Sequence, residues 1–364
     1  MLTEEKKAGP SEDLLYGPHW YLLDKATLDE MRKLEPHKPI LAALGAWAWI
    51  FLLVKTFLFF PHTVYFYPLF AFLIAGRAGV FLQLAHEAAH GLISKGKFND
   101  WFGDWIASYP IGLDLKGYKD PHLRHHACTN QVCDPLSDSE KYRVCDIRNP
   151  KLLLLFLKDL LGITALTIKM RYDQPLSNKN KKDIQDYLEN EEGYTTFDAA
   201  VGKDRLQALK KQGSIALVQL LILGALFNFN LLHYFFLWFL PLMTCHMLLM
   251  RVRGIAEHGL GVQLDDKDLE KKTRGLYYTR SFGTPANRYR SGFLIWLERF
   301  LIGSLDVYYH HEHHLYPKVP YYNLSKVHRL IAERVKTNNP NAYASGYFDC
   351  LFFNLRHSSS PASR

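Results

Sequence analysis

The sequence predicts an all-α, polytopic membrane protein: four transmembrane helices in two hairpins, with a helical cytoplasmic cap that carries three histidine boxes. Two observations predict the membrane part. Residues 214–250 run for 37 positions without Asp, Glu, Lys or Arg, and residues 40–84 are interrupted only by Lys55 and Arg77. One crossing needs about 20 apolar residues, so each run has room for two. A soluble helix would not stay uncharged on every face for so long. The third observation is histidine: seventeen in 364 residues, nine of them in three short runs.

The elements follow in chain order. Residues 1–39 form a charged N-terminal segment without the apolar core of a signal peptide. The first hairpin crosses at 40–60 and 63–85 and turns at Pro61-His62. Lys55 lies near that turn and is expected to snorkel outward; Arg77 lies deeper and is expected to reach for the near interface. The cap begins at 86 and runs to 213. Within it, 152–168 is apolar but split by Lys158-Asp159, which suits a helix lying in the interface. The charged stretch 171–211 reads as a helical insert. The second hairpin crosses at 214–229 and 231–250, broken at Asn228-Phe229-Asn230. The cap resumes over 251–330, and 331–364 form a C-terminal tail.

Neither outer turn carries Lys or Arg, whereas the segments on the other side hold nearly all the positive charge. The positive-inside rule therefore places both termini and all three histidine runs in the cytoplasm. Topology also accounts for the formal net charge of +8, and no basic patch interleaved with aromatics points to nucleic acid. The mean hydropathy of −0.14 hides this clustering. Five cysteines exclude a disulfide scaffold.

The histidine runs carry the chemistry. His86 and His90 are spaced i, i+4, and His122-Leu123-Arg124-His125-His126 and His310-His311-Glu312-His313-His314 each place three imidazoles at i, i+3, i+4. On a helix these share one face. At a histidine frequency of 17/364, a chance HxxHH is expected roughly 0.04 times in the chain. Two, both beside membrane exits, are not an accident. The eight imidazoles exceed what one ion can use, so a dinuclear centre follows. Imidazole suits iron, copper, zinc and nickel, and surplus ligands at a membrane point to iron handling dioxygen. His258, at the same depth, is a ninth candidate, and His311 points off the shared face. Glu87, Glu257, Glu312 and Asp134 stand beside the boxes as partners for ligand N–H groups. His233 and His246 lie deeper and read as hydrogen-bonded core residues.

At these residues the chain resembles the membrane fatty acid desaturase family, in its bacterial-type branch. The resemblance covers about residues 40–330. It rests on His86-Glu87-Ala88-Ala89-His90, the two HxxHH boxes, Thr129-Asn130 and Asp134-Pro135 after the second box, and Leu315-Tyr316-Pro317-Lys318 after the third. It implies two irons (Fe2+/Fe3+), dioxygen as co-substrate and a fatty acyl or related lipid as substrate. The ligands would be His86, His90, His122, His125, His126, His258, His310, His313 and His314. Gly254 stands where some members have an asparagine four residues before the additional histidine, so no asparagine-held water is carried over. No haem-binding His-Pro-Gly-Gly and no four-cysteine cluster occur, which implies a separate ferredoxin, or a cytochrome b5 with its reductase. A bacterial inner membrane suits this branch better than endoplasmic reticulum.

Rival chemistries are weighed on the same residues. The resemblance favours desaturation of the alkyl chain of a fatty acyl lipid, with hydroxylation or oxidative decarboxylation to a terminal alkene at the same centre as alternatives. His86-Glu87-x-x-His90 is also the zinc metalloprotease signature, but that reading leaves both HxxHH boxes without a purpose. A di-iron carboxylate bundle needs two Glu-x-x-His units, and Glu87-x-x-His90 is the single one here.

Overall fold

The structure, a computed structural model, describes residues 22–128, 150–167, 205–259, 292–338, 343 and 346–350. The insert at 171–204, Asp134, Thr129-Asn130 and most of the C-terminal tail lie outside the described residues. The described elements are helical. Four stretches are long and apolar enough to cross a membrane: His37–Phe59, Pro61–Ala89, Leu209–Phe227 and Leu231–His258.

We number the helices used below α1 (His37–Phe59), α2 (Tyr67–Ala89), α3 (Leu115–Cys128), α4 (Pro150–Leu160), α5 (Arg205–Phe227), α6 (Cys245–Gly254), α7 (Gly292–Leu301), α8 (His310–Leu315) and α9 (Tyr321–Asn338). The second and fourth stretches run past the apolar ends expected at 85 and 250, so the helix that crosses also carries ligand residues beyond. For α2 no breaker intervenes before Gly91. That glycine takes a left-handed φ of 75°, and Leu92 N–H returns to the Glu87 carbonyl at 2.9 Å, which closes the helix just after His90.

The outer turns form where breakers occur. Asn228 and Phe229 adopt left-handed backbone angles. The Phe229 ring folds back onto Gly224, where a Cβ would meet it at 2.9 Å. Asn230 then caps the next helix by accepting the His233 N–H at 3.0 Å. His233 is thus half-exposed in a first turn and not the core residue expected. His246 is one: it is buried, with Nδ1 3.3 Å from the Ala75 carbonyl.

Packing inside the bundle is tight and aromatic. Ile50, Val54, Ile74, Ala78 and Phe81 are fully buried, and Trp47 stacks on buried Trp238 at 5.5 Å. Gln219 satisfies its whole amide inside the bundle. It donates to the Tyr109 and Pro110 carbonyls and accepts from Tyr234 and Trp238. Lys55 donates to the Leu226 carbonyl at 3.2 Å, which ties the two outer ends together.

Arg77 corrects an expectation. It does not reach for the interface. Its guanidinium donates to Ser304 Oγ at 3.1 Å and lies 3.6 Å from the Phe300 ring centroid. This follows from Gly76, against which α7 docks so closely that a Cβ would meet Leu301 Cα at 2.8 Å. Helix α4 exposes Leu153, Leu154, Leu157 and Leu160 on one side. Its inner face is pinned by fully buried Asp159, which receives Arg251 from α6 through two nitrogens.

Candidate metal centre

Four structural elements deliver histidines to one buried volume. Helix α2 ends in His86 and His90. Helix α3 carries His122, His125 and His126. The fourth crossing continues from α6 into a π-helical turn, Ile255–Gly259, that presents His258; such turns recur at functional sites. Helix α8 supplies His310, His313 and His314. The approach to α8 bends through Leu305 and Asp306, both at φ 54°. That conformation is costly for non-glycine residues, and it sets the direction in which α8 starts.

The nine imidazoles divide into two groups. Ring nitrogens of His86, His90, His122, His126 and His313 all lie within 4.8 Å of one another, as do those of His125, His258, His310 and His314. The division cuts across the boxes. In α3, His122 and His126 join the first group and His125 the second; in α8, His313 joins the first and His310 and His314 the second.

The nitrogens converge rather than merely crowd. In the first group Nε2 of His122 is 2.8 Å from that of His90 and 3.1 Å from that of His126, which is 3.1 Å from that of His313. In the second, His258 Nε2 is 3.1 Å from His125 and 2.9 Å from His310. His86 Nε2 is buried with no hydrogen-bond partner, as a nitrogen awaiting a cation would be.

Burial also prepares the donors. It pushes the His90 imidazole down to about 3, with nearby Lys119 adding to the effect. Burial, followed by neighbouring imidazoles, holds His122, His126, His310, His313 and His314 well below the usual range. These rings are therefore neutral at physiological pH, the form that binds metal.

Carboxylates back each group. Glu87 Oε1 lies 3.5 Å from His86 Nδ1, while its Oε2 accepts the Tyr321 N–H at 3.0 Å, which ties the first box to the start of α9. Glu257 Oε2 lies 3.5 Å from His310 Nδ1. Glu312 turns away from both groups. Its Oε1 accepts from Tyr343 and meets His328 Nδ1, both at 2.6 Å. His311 is fully buried against Tyr343 and belongs to neither group.

A polar chain that sequence reasoning missed joins the two groups. The Gln83 amide meets His86 Nδ1 at 3.2 Å and accepts from Arg253 Nη1 at 3.0 Å. Arg253 Nε reaches both oxygens of Glu257, at 2.8 and 3.0 Å, and Tyr347 donates to the same carboxylate at 3.3 Å. Gln83 precedes His86 by three residues and Arg253 precedes Glu257 by four, so helical spacing hinted at each half. Nothing local linked the halves or pointed to Tyr347.

Comparison with known proteins decides the family. The profile described as Fatty acid desaturase matches residues 63–344, more than three quarters of the chain. The chain belongs to the fatty acid desaturase family. As a member, it shares with a dihydrorhizobitoxine desaturase of Bradyrhizobium elkanii 26% identity over 275 residues, 72% of this chain and 67% of the relative. The desaturase match spans all four histidine-bearing elements, and family membership marks the chain as an oxidoreductase of the membrane. Within this family member, the zinc signature at His86 and His90 does not stand by itself: three further imidazoles from two other elements share its group.

Proposed function

We propose that the protein is an oxygen-dependent di-iron oxidoreductase that desaturates the alkyl chain of a fatty acyl lipid. One observation carries this: nine buried imidazoles gathered as five and four at the ends of membrane-length helices. His86, His90, His122, His126 and His313 would hold one iron, and His125, His258, His310 and His314 the other. When bound, the irons supply the oxidising power, drawn from dioxygen and two electrons, that an aliphatic C–H bond requires. Buried, neutral nitrogen donors fit iron. The match to a relative named a desaturase favours removal of two hydrogens over hydroxylation or decarboxylation.

The chain's own residues do the rest. The Gln83 amide N–H donates to His86 Nδ1, and the Glu87 and Glu257 carboxylates lie 3.5 Å from Nδ1 of His86 and His310, where they set the charge around each group. Burial of all nine rings excludes water. The apolar spans bring the alkyl chain to the site, which would sit at the cytoplasmic mouth of two helical hairpins with both termini on the same side. Electrons would come from a separate ferredoxin, or from cytochrome b5 with its reductase.

Expression in a bacterial host tests the reading. Lipids and headspace are compared by mass spectrometry with and without oxygen, beside metal analysis of the purified protein. Oxygen-dependent acyl chains lacking two hydrogens, and two irons per chain, are the expected result. Hydroxylated chains or volatile alkenes would move the reading to the family's other chemistries. A single zinc with no oxygen-dependent product would overturn it.

A further inference from the structure

An open groove of about 580 Å³ lies between α1, α2, α7 and the bend before α8. That size is within the range of about 300–1,000 Å³ typical of small-ligand sites. Its lining mixes aromatic side chains, Trp49 on α1 and Trp296 and Phe300 on α7, with the charged Arg77, Arg299 and Asp306. Gly45 lines it from α1, and a Cβ there would meet nothing within 4 Å.

The charges in the groove do not balance. Arg299 lies over the Tyr308 ring at 4.4 Å, and the Asp306 carboxylate accepts the Tyr308 hydroxyl at 2.6 Å. Arg77, the third charged residue, has only neutral partners among the described residues: Ser304 Oγ and the face of Phe300. Its Nε is buried and without a hydrogen-bond partner. A cation inside a membrane span is costly and is kept where it meets a ligand or a counter-charge. A guanidinium carries Nε and Nη2 along one edge, the fork to which a carboxylate offers both oxygens.

We propose that this groove binds the carboxylate of a free long-chain fatty acid drawn from the bilayer, anchored by Arg77, with its chain against Trp49 and Trp296. Depth selects the ligand. Arg77 lies ten residues into α2, about 15 Å along the helix, in a hydrocarbon layer of about 30 Å. A phospholipid phosphate stays at the surface with its polar head; a single-chain acid can follow the guanidinium inward. Nine residues, or about 14 Å of helix, separate this anchor from His86, so the acid end is held away from the metal groups. That the bound acid is also the one oxidised rests on the function proposed above; the binding does not.

Radiolabelled palmitic acid, its methyl ester and phosphatidylglycerol are the probes, offered to the purified full chain in detergent. The acid should bind at least about tenfold more tightly than the ester, the worth of one charged hydrogen-bonded contact. Arg77→Met should erase that preference, and Gly45→Leu, which adds bulk to the groove from a position whose Cβ meets nothing within 4 Å, should weaken acid binding. Unchanged acid binding in Gly45→Leu, an unchanged preference in folded Arg77→Met, or tighter Arg77-dependent binding of phosphatidylglycerol would each overturn the proposal. Arg77-dependent acid binding without oxygen-dependent product would sink the desaturase reading and leave the groove. Product formation without such binding would do the reverse.

Discussion

Arg253 holds the outer hydrogen bonds of both metal groups, and its replacement by methionine should disturb both. The guanidinium makes two bonds to Glu257, which backs His310, and one to Gln83, which backs His86. Both partners of the ion pair are largely buried, with side chains 13% and 5% exposed. Methionine keeps the length and apolar stem but leaves the Glu257 carboxylate without its cation. Removing one partner of a buried pair costs about 3–5 kcal/mol, enough to lower the thermal unfolding temperature measurably. Loss of such outer partners also weakens metal affinity by about 10–100-fold. The assay is iron content after dialysis, with Mössbauer spectra of protein reloaded with 57Fe. Both iron environments should change in Arg253→Met, whereas Gln83→Leu should change chiefly the five-histidine site. Wild-type spectra and iron retention in Arg253→Met would refute the claim that this chain orients ligands in both groups.

Other variants probe single links. His313→Ala should lose iron from the five-histidine group and His125→Ala from the four-histidine group, each abolishing activity; full iron content in either would count against the ligand assignment. Asp159→Leu should destabilise the protein by about 3–5 kcal/mol because Arg251 is left buried and unpaired, read as earlier unfolding in a thermal or denaturant scan. Gly76→Val should push α7 off α2, since its Cβ already meets Leu301 Cα at 2.8 Å. The expected sign is faster proteolysis within 292–301, and an unaltered digestion pattern would argue that α7 can shift without cost.

Much of this protein was legible without coordinates, and the reason is local. Apolar length is a property of consecutive residues, so the runs at 40–84 and 214–250 announce crossings and Asn228-Phe229-Asn230 announces their turn. Ligand candidates were legible because HxxxH and HxxHH are helical spacings, and His258 because of its depth. Three things were beyond local pattern. The sorting of nine histidines into five and four depends on how helix ends from α2, α3, α6 and α8 meet, and it splits both HxxHH boxes between the groups. The chain from Gln83 to Arg253 joins residues 170 positions apart, where no periodicity reaches. Arg77 looked like a snorkelling cation because its neutral partners, Ser304 and Phe300, lie more than 220 residues downstream. Sequence alone determined the four membrane-length apolar stretches and the candidate donor histidines, since both follow from spacing along a helix. Tertiary structure decided which donors share a group and which neutral partners Arg77 meets among the described residues, since both follow from contacts between segments distant in the chain.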